Sequence, residues 1–180
     1  ADDGGKATQG GDDEMSESSA RAAVFTGGCQ CGAIRYALYA RPEGAHLCHC
    51  RMCQKVTGGP FAALAPVRNG DFAWTRGTPA SFHSSSVATR TFCADCGTPL
   101  GFAYIDADWI DVTIGSLDRP AEVPPRKHYG IESRLAWIET IAALPGDPTA
   151  DSMEPERQKR LVSFQHPDHD TADGWRPGRR

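Results

Sequence analysis

The stretch Cys29-Gln30-Cys31-Gly32 is answered by Cys93-Ala94-Asp95-Cys96-Gly97, with 61 residues between the two pairs. Each pair ends in Cys-Gly, the pattern of a zinc knuckle, where glycine permits a turn tight enough for backbone N–H groups to face the thiolate sulfurs. Four thiolates give zinc a closed tetrahedral shell, and a closed shell is structural. The spacing therefore predicts a domain whose distant ends are clamped by one metal. A second cluster, Cys48-His49-Cys50-Arg51-Met52-Cys53, lies inside that loop. Three thiolates from one tight segment leave zinc a fourth position for water or substrate, which is the pattern of a reactive site. Four and three account for all seven cysteines of the chain.

Other uses of the cysteines are weighed against this division. An odd count cannot be a complete set of intrachain disulfides, and the chain shows no signal-peptide pattern. Cys50 and Cys53 also have the spacing of a thiol-exchange pair, but that reading wants a βαβ context which the surrounding segments lack. A third alternative stays open: the second cluster is structural too, with His46, His49 or His128 as its fourth ligand.

The rest of the composition narrows the class. A length of 180 residues suits one domain. The chain has 19 glycines and 13 prolines, a share well above the usual combined value of about 12%, which excludes a coiled coil or helical bundle. No apolar run approaches the roughly 18 residues of a membrane span, so a soluble, cytoplasmic protein is expected. The net charge of −4 argues against a broadly basic nucleic-acid binder. Residues 1–23 hold six acids and two bases, with no aromatic, leucine, isoleucine or valine, and read as a disordered acidic leader. Residues 24–145 contain every cysteine and form the expected domain. Residues 146–180 read as a polar tail that packs little, apart from a short helix around 154–164.

Within the domain the patterns are short and mostly β. Residues 33–39 alternate Ile34, Tyr36 and Leu38 against Arg35 and Ala37, which predicts a half-buried strand. Strand-length pieces follow at 61–67, 72–75, 80–83 and 88–92, separated by turn residues. Residues 109–117 alternate again, with Ile110, Val112 and Ile114 opposite Asp111 and Thr113. The best helix is 50–57, stopped by Gly58-Gly59, and 134–144 is ambiguous. Trp109 and Trp137 are expected in the core.

Taken together, Gly27-Gly28-Cys29-Gln30-Cys31-Gly32-Ala33-Ile34-Arg35-Tyr36, the Cys48–Cys53 cluster and Phe92-Cys93-Ala94-Asp95-Cys96-Gly97-Thr98-Pro99-Leu100 resemble the glutathione-dependent formaldehyde-activating enzyme family, the CENP-V/GFA domain. Gly115-Ser116-Leu117-Asp118-Arg119-Pro120 resembles the family's strand-end motif, and Pro124-Pro125-Arg126-Lys127-His128 with Trp137 its closing segment. The resemblance implies a mainly β, Mss4-like fold (the β-tent), with antiparallel sheets held by zinc and one or two short helices. It implies two zinc ions, a structural one on Cys29, Cys31, Cys93 and Cys96 and a catalytic one on Cys48, Cys50 and Cys53. The implied activity is that of a carbon–sulfur lyase, joining a small thiol such as glutathione to a small aldehyde such as formaldehyde. Arg51, Lys55, Arg126 and Lys127 are candidates for binding the thiol's carboxylates, and His128 for moving a proton. His128-Tyr129-Gly130-Ile131 departs from the bulkier stretch expected there, so Gly130 is expected to widen the pocket or loosen the loop. The alternative from another class is a non-catalytic zinc module that binds a protein or nucleic acid.

Overall fold

A computed structural model describes residues 21–172 and Trp175; residues 1–20 of the expected leader and the arginines at 176–180 lie outside the described residues. The strands are β1 (Phe25–Gly28), β2 (Arg35–Leu38), β3 (His46–Cys48), β4 (Ala62–Arg68), β5 (Phe72–Arg76), β6 (Ala80–Ser85), β7 (Ala88–Phe92), β8 (Pro99–Tyr104), β9 (Trp109–Thr113) and β10 (Lys127–Tyr129). They make a three-stranded sheet in the order β1-β2-β5 and a seven-stranded sheet in the order β10-β3-β4-β9-β8-β7-β6. Every pairing is antiparallel except that of β10 with β3, which is parallel. The mainly β expectation thus describes the molecule, with one parallel edge pair added. Among the described residues no helix is long and apolar enough to cross a membrane.

The two sheets meet over one core, in which Tyr36, Leu38, Ala65, Leu100 and Val112 are fully buried. The residues 115–120 fasten the sheets together. Ser116 Oγ bonds the Tyr36 hydroxyl at 2.8 Å, and the Asp118 N–H donates to the Thr26 carbonyl at 2.9 Å. Gly27 must be glycine here, because a Cβ would stand 2.4 Å from the Tyr36 hydroxyl and 2.5 Å from the Ser116 carbonyl oxygen.

β2 departs from its half-buried reading, since all four of its residues are buried. Arg35 leaves solvent because its guanidinium is doubly partnered, with Asp118 at 2.5 Å and Asp170 at 2.8 Å. Likewise Asp111, which alternation sets opposite Ile110, Val112 and Ile114, is buried. Trp109 and Trp137 are not core residues, being 38% and 53% exposed. Trp109 starts β9 at the sheet's outer face, and Trp137 belongs to the exposed 3-10 helix Ala136–Ala143 that occupies the ambiguous 134–144 stretch.

Two short, exposed helices follow, α2 (Thr149–Ser152) and α3 (Pro155–Lys159), the latter inside the helix expected around 154–164. Neither helix buries a residue, and from His166 the chain returns to the domain. The His166 N–H donates to the Gln30 carbonyl at 2.7 Å, its Nε2 meets Thr171 Oγ1 at 2.9 Å, and its ring lies against Trp175. Arg76 donates to the Thr171 carbonyl at 2.5 Å. A polar segment packs here because its partners are guanidinium groups and backbone carbonyls, which an apolar count does not register.

Candidate functional site

The first cysteine set is built from two similar turns. The Cys29 N–H bonds the Ile34 carbonyl while the Ile34 N–H donates to Cys29 Sγ at 3.2 Å, and Gly32 takes a left-handed φ of +73°. In the second turn the Gly97 N–H donates to the Cys93 carbonyl at 2.9 Å, with φ +76°. The turns are tied together through Thr98 Oγ1, which accepts from the Gln30 N–H at 3.1 Å and lies 3.2 Å from Cys96 Sγ. Cys29, Cys31, Cys93 and Cys96 therefore bring all four sulfurs within 4.8 Å of one another, and they could hold a metal ion. Burial works against ionisation at Cys96, but the Thr98 hydroxyl and backbone N–H groups outweigh it and bring that thiol down to about 6.

The second set grows from β3 into the first helix, α1 (Arg51–Thr57). Cys50 is the N-cap, its sulfur accepting from the Cys53 N–H, and Gly58 ends the helix with a left-handed φ of +66°. Cys48, Cys50 and Cys53 have their sulfurs within 4.8 Å of one another, and no histidine nitrogen among the described residues joins them at that distance. Of the three histidines weighed as a fourth ligand, His49 Nε2 instead meets His128 Nδ1 at 2.8 Å, and the two rings stack. His46 turns Nδ1 to the Gly44 carbonyl and Nε2 toward Asp111, 4.0 Å away.

The loop after β10 holds this cluster in place. The His49 N–H donates to the Tyr129 carbonyl at 2.9 Å, and the buried Gln54 amide bridges the His49 and Ser133 carbonyls. Gly130 lies against Cys50, where a Cβ would come within 2.7 Å of the Cys50 nitrogen, so it serves close packing and does not line a wider pocket.

The outer face of the large sheet carries a cavity of about 630 Å³ with the three cysteines in its wall. Register explains its lining: His46 pairs with Leu64, Pro66 with Asp111, Asp111 with Phe102, and Phe102 with Arg90, so these side chains share one face. Arg90 is buried, lies over the Phe102 ring at 4.8 Å and donates to Cys53 Sγ at 3.2 Å. Partnership with Cys48 lowers the Cys53 thiol, burial opposes that, and Arg90 adds to the lowering. Burial pushes the Asp111 carboxyl up. Sulfur clusters with such N–H donors have the donor chemistry of a soft-metal site, and both sets fit zinc in that respect.

Arg51, Lys55, Arg126, Lys127 and His128 do not line this cavity. Arg51 is exposed and bonds Gln54, Lys55 and Arg126 are exposed, and Lys127 packs on the Tyr129 ring at 4.8 Å. Arg90 and Asp111, which do line it, escape a reading by motif because each sits alone in a strand. Their signal is a charge placed between β-forming residues on the face opposite the core.

The sequence profile of the family described as glutathione-dependent formaldehyde-activating enzyme matches residues 24–133. An uncharacterized lyase of Schizosaccharomyces pombe is 32% identical over 80 residues, which cover 44% of this chain and 58% of that protein. The match thus spans less than two thirds of the relative's length. A crystal structure of a Rhodobacter sphaeroides protein is similar with a TM-score of 0.46 and 22% identity, over 57% of this chain and 98% of that one.

Proposed function

The chain belongs to the glutathione-dependent formaldehyde-activating enzyme family, and on that premise we propose that it is a zinc-dependent enzyme of the carbon–sulfur lyase type. It joins a small thiol to a small aldehyde such as formaldehyde, or cleaves their adduct. Cys29, Cys31, Cys93 and Cys96 hold the structural zinc in this reading, and Cys48, Cys50 and Cys53 the reactive one. The observation that carries it is the position of Cys48, Cys50 and Cys53 in the wall of a cavity of about 630 Å³, with no histidine closing the set among the described residues.

A zinc ion held by Cys48, Cys50 and Cys53 would supply acidity to a substrate thiol, favouring its anionic, nucleophilic form at neutral pH. The chain's own residues prepare that place. Arg90 donates to Cys53 and favours the anionic form of its sulfur that a ligand needs. Gln54 and the Tyr129 carbonyl hold the loop between Cys48 and Cys50. In the addition, the thiol S–H bond breaks and a C–S bond forms. The carbonyl π pair moves to oxygen, which receives the proton, so no oxidant or reductant is consumed.

An aldehyde screen with several thiols, following hemithioacetal formation by the zinc-loaded protein, tests this reading. Acceleration over the spontaneous reaction for at least one pair is expected. No acceleration for any pair overturns the assignment.

A further inference from the structure

Resting on the thiol-and-aldehyde reading, we propose that Asp111 is a catalytic residue of that reaction. Its carboxyl holds the oxygen of the thiol–aldehyde adduct and carries the proton that this oxygen gains on addition and loses on cleavage. Asp111 is 5% exposed and lines the cavity that holds Cys48, Cys50 and Cys53, yet its Oδ1 has no hydrogen-bond partner. His46 Nε2, 4.0 Å away, lies beyond hydrogen-bond reach. A buried carboxyl oxygen left without a donor costs free energy, and each such group in a folded protein calls for a reason. A ligand hydroxyl supplies one, because its O–H completes the hydrogen bonding of the carboxyl.

Position and chemistry single out Asp111 among the polar groups of the wall. Register sets it in one row with Phe102 and Arg90, on the sheet face that carries the cavity, and Arg90 in turn touches Cys53 Sγ. Among the described residues it is the one carboxyl that lines this cavity. The other unpartnered buried atom of the wall is Arg90 Nε, but a guanidinium does not give up a proton, and this one is already held at Cys53. Ser84 Oγ donates to the Ala88 carbonyl and Ser85 Oγ accepts from the Val87 N–H, so both are engaged with the turn between β6 and β7. Burial, which raises the Asp111 carboxyl, moves it toward the range in which one group can both take and give a proton.

The step balances without an added reagent. The thiol S–H bond breaks and its proton passes, directly or through one water, to the Asp111 carboxylate. The C–S bond forms, the carbonyl π pair moves to oxygen, and Asp111 delivers the proton to that oxygen. Cleavage runs the same steps backwards. The carboxyl ends each turnover as it began, and nothing is oxidised or reduced.

The test compares Asp111→Asn with the wild-type zinc-loaded protein, with glutathione and formaldehyde as probes. Asparagine keeps the shape and removes a carboxyl whose burial is not compensated. Zinc content, thermal midpoint and glutathione affinity by calorimetry are therefore expected to match or exceed those of the wild type, while the catalysed addition rate falls at least about 100-fold. A second measurement uses the wild-type protein alone. Infrared difference spectra, recorded as formaldehyde is added to the glutathione-loaded holoprotein, are expected to show a carboxyl band shifting. An undiminished rate in Asp111→Asn, a rate that falls only in step with zinc content or glutathione affinity, or the absence of a carboxyl shift overturns the proposal. The two readings fail distinguishably. No acceleration by the wild-type protein removes the thiol-and-aldehyde reading and the role of Asp111 with it, whereas acceleration that survives Asp111→Asn removes the role of Asp111 alone.

Discussion

Arg90 reaches from β7 to donate to the Cys53 sulfur across 3.2 Å, so a strand of the large sheet and the first helix meet at the cysteine cluster. Replacing a donor of this kind typically weakens metal binding about 10–100-fold. Arg90→Gln is therefore expected to lower zinc affinity at Cys48, Cys50 and Cys53 within that range and to leave the other site unchanged. Chelator competition, with two binding steps resolved, measures it.

The two cysteine sets make opposite demands on the fold. About two zinc ions per chain are expected in protein prepared without added thiol. Cys50→Ser should remove one and preserve the circular dichroism spectrum. Cys96→Ser should unfold the domain, because it opens the link between segments 61 residues apart. Equal unfolding by both changes removes the distinction between a structural and a reactive set.

Asp118 gives the domain a pH dependence with a definite sign. Burial alone raises its carboxyl, but the Arg35 guanidinium and the Thr26 hydroxyl hold it below the usual carboxylate range. A group depressed in the native state contributes stability that is present above its unfolded value of about 4 and is lost as pH falls through the native value. Since Arg35 and Asp118 are both buried, Asp118→Asn should cost about 3–5 kcal/mol near neutrality, and progressively less in acid. Denaturant titrations at about pH 7 and about pH 3 compare the two.

Gly130 and Gly58 share a left-handed backbone but not a neighbourhood. A Cβ at Gly130 meets the Cys50 nitrogen at 2.7 Å, whereas one at Gly58 meets nothing within 4 Å. Gly58→Ala should cost about 1–2 kcal/mol, the backbone term alone. Gly130→Ala should cost more, and it should speed exchange of the His49 amide, whose acceptor is the Tyr129 carbonyl. Thermal unfolding and site-resolved hydrogen exchange read the two effects.

The returning tail makes its own contribution to stability. Removing the chain after Phe164 deprives Arg76 of the Thr171 carbonyl and Arg35 of Asp170, and it uncovers Gly32. Bonds to charged groups contribute about 1.5–3 kcal/mol, and the half-exposed Asp170 lies at the low end. A loss of at least about 2 kcal/mol is expected, with faster exchange at the Ile34 amide beside Cys29. An unchanged unfolding midpoint would show that the contacts are incidental.

The cysteine groupings and several of the longer strands are legible in the sequence, because spacing and alternation are local properties. Cys48 to Cys53 and the two Cys-Gly turns gather as their intervals suggest. The short strands β1, β3 and β10 are not legible, since three or four residues carry too little periodicity, and the parallel pairing of β10 with β3 is a long-range event. Asp111 and Arg35 mislead alternation for different reasons: Arg35 is covered by its partners Asp118 and Asp170, whereas Asp111 is buried among its strand neighbours in the wall of the cavity. Trp109 misleads in the opposite direction, as a large ring left at the surface to wall a cavity.

The two cysteine sets also differ in when they can exist. Cys48, Cys50 and Cys53 lie so close together that their set is complete as soon as that segment leaves the ribosome. Cys29 and Cys31 must wait for Cys96, at a synthesis rate of about 5–20 residues per second, and His166 covers their turn later still. During that interval Cys29 and Cys31 stand without this cover. The segment that shields their turn is made more than a hundred residues later, so a chain interrupted before His166 carries the turn bare.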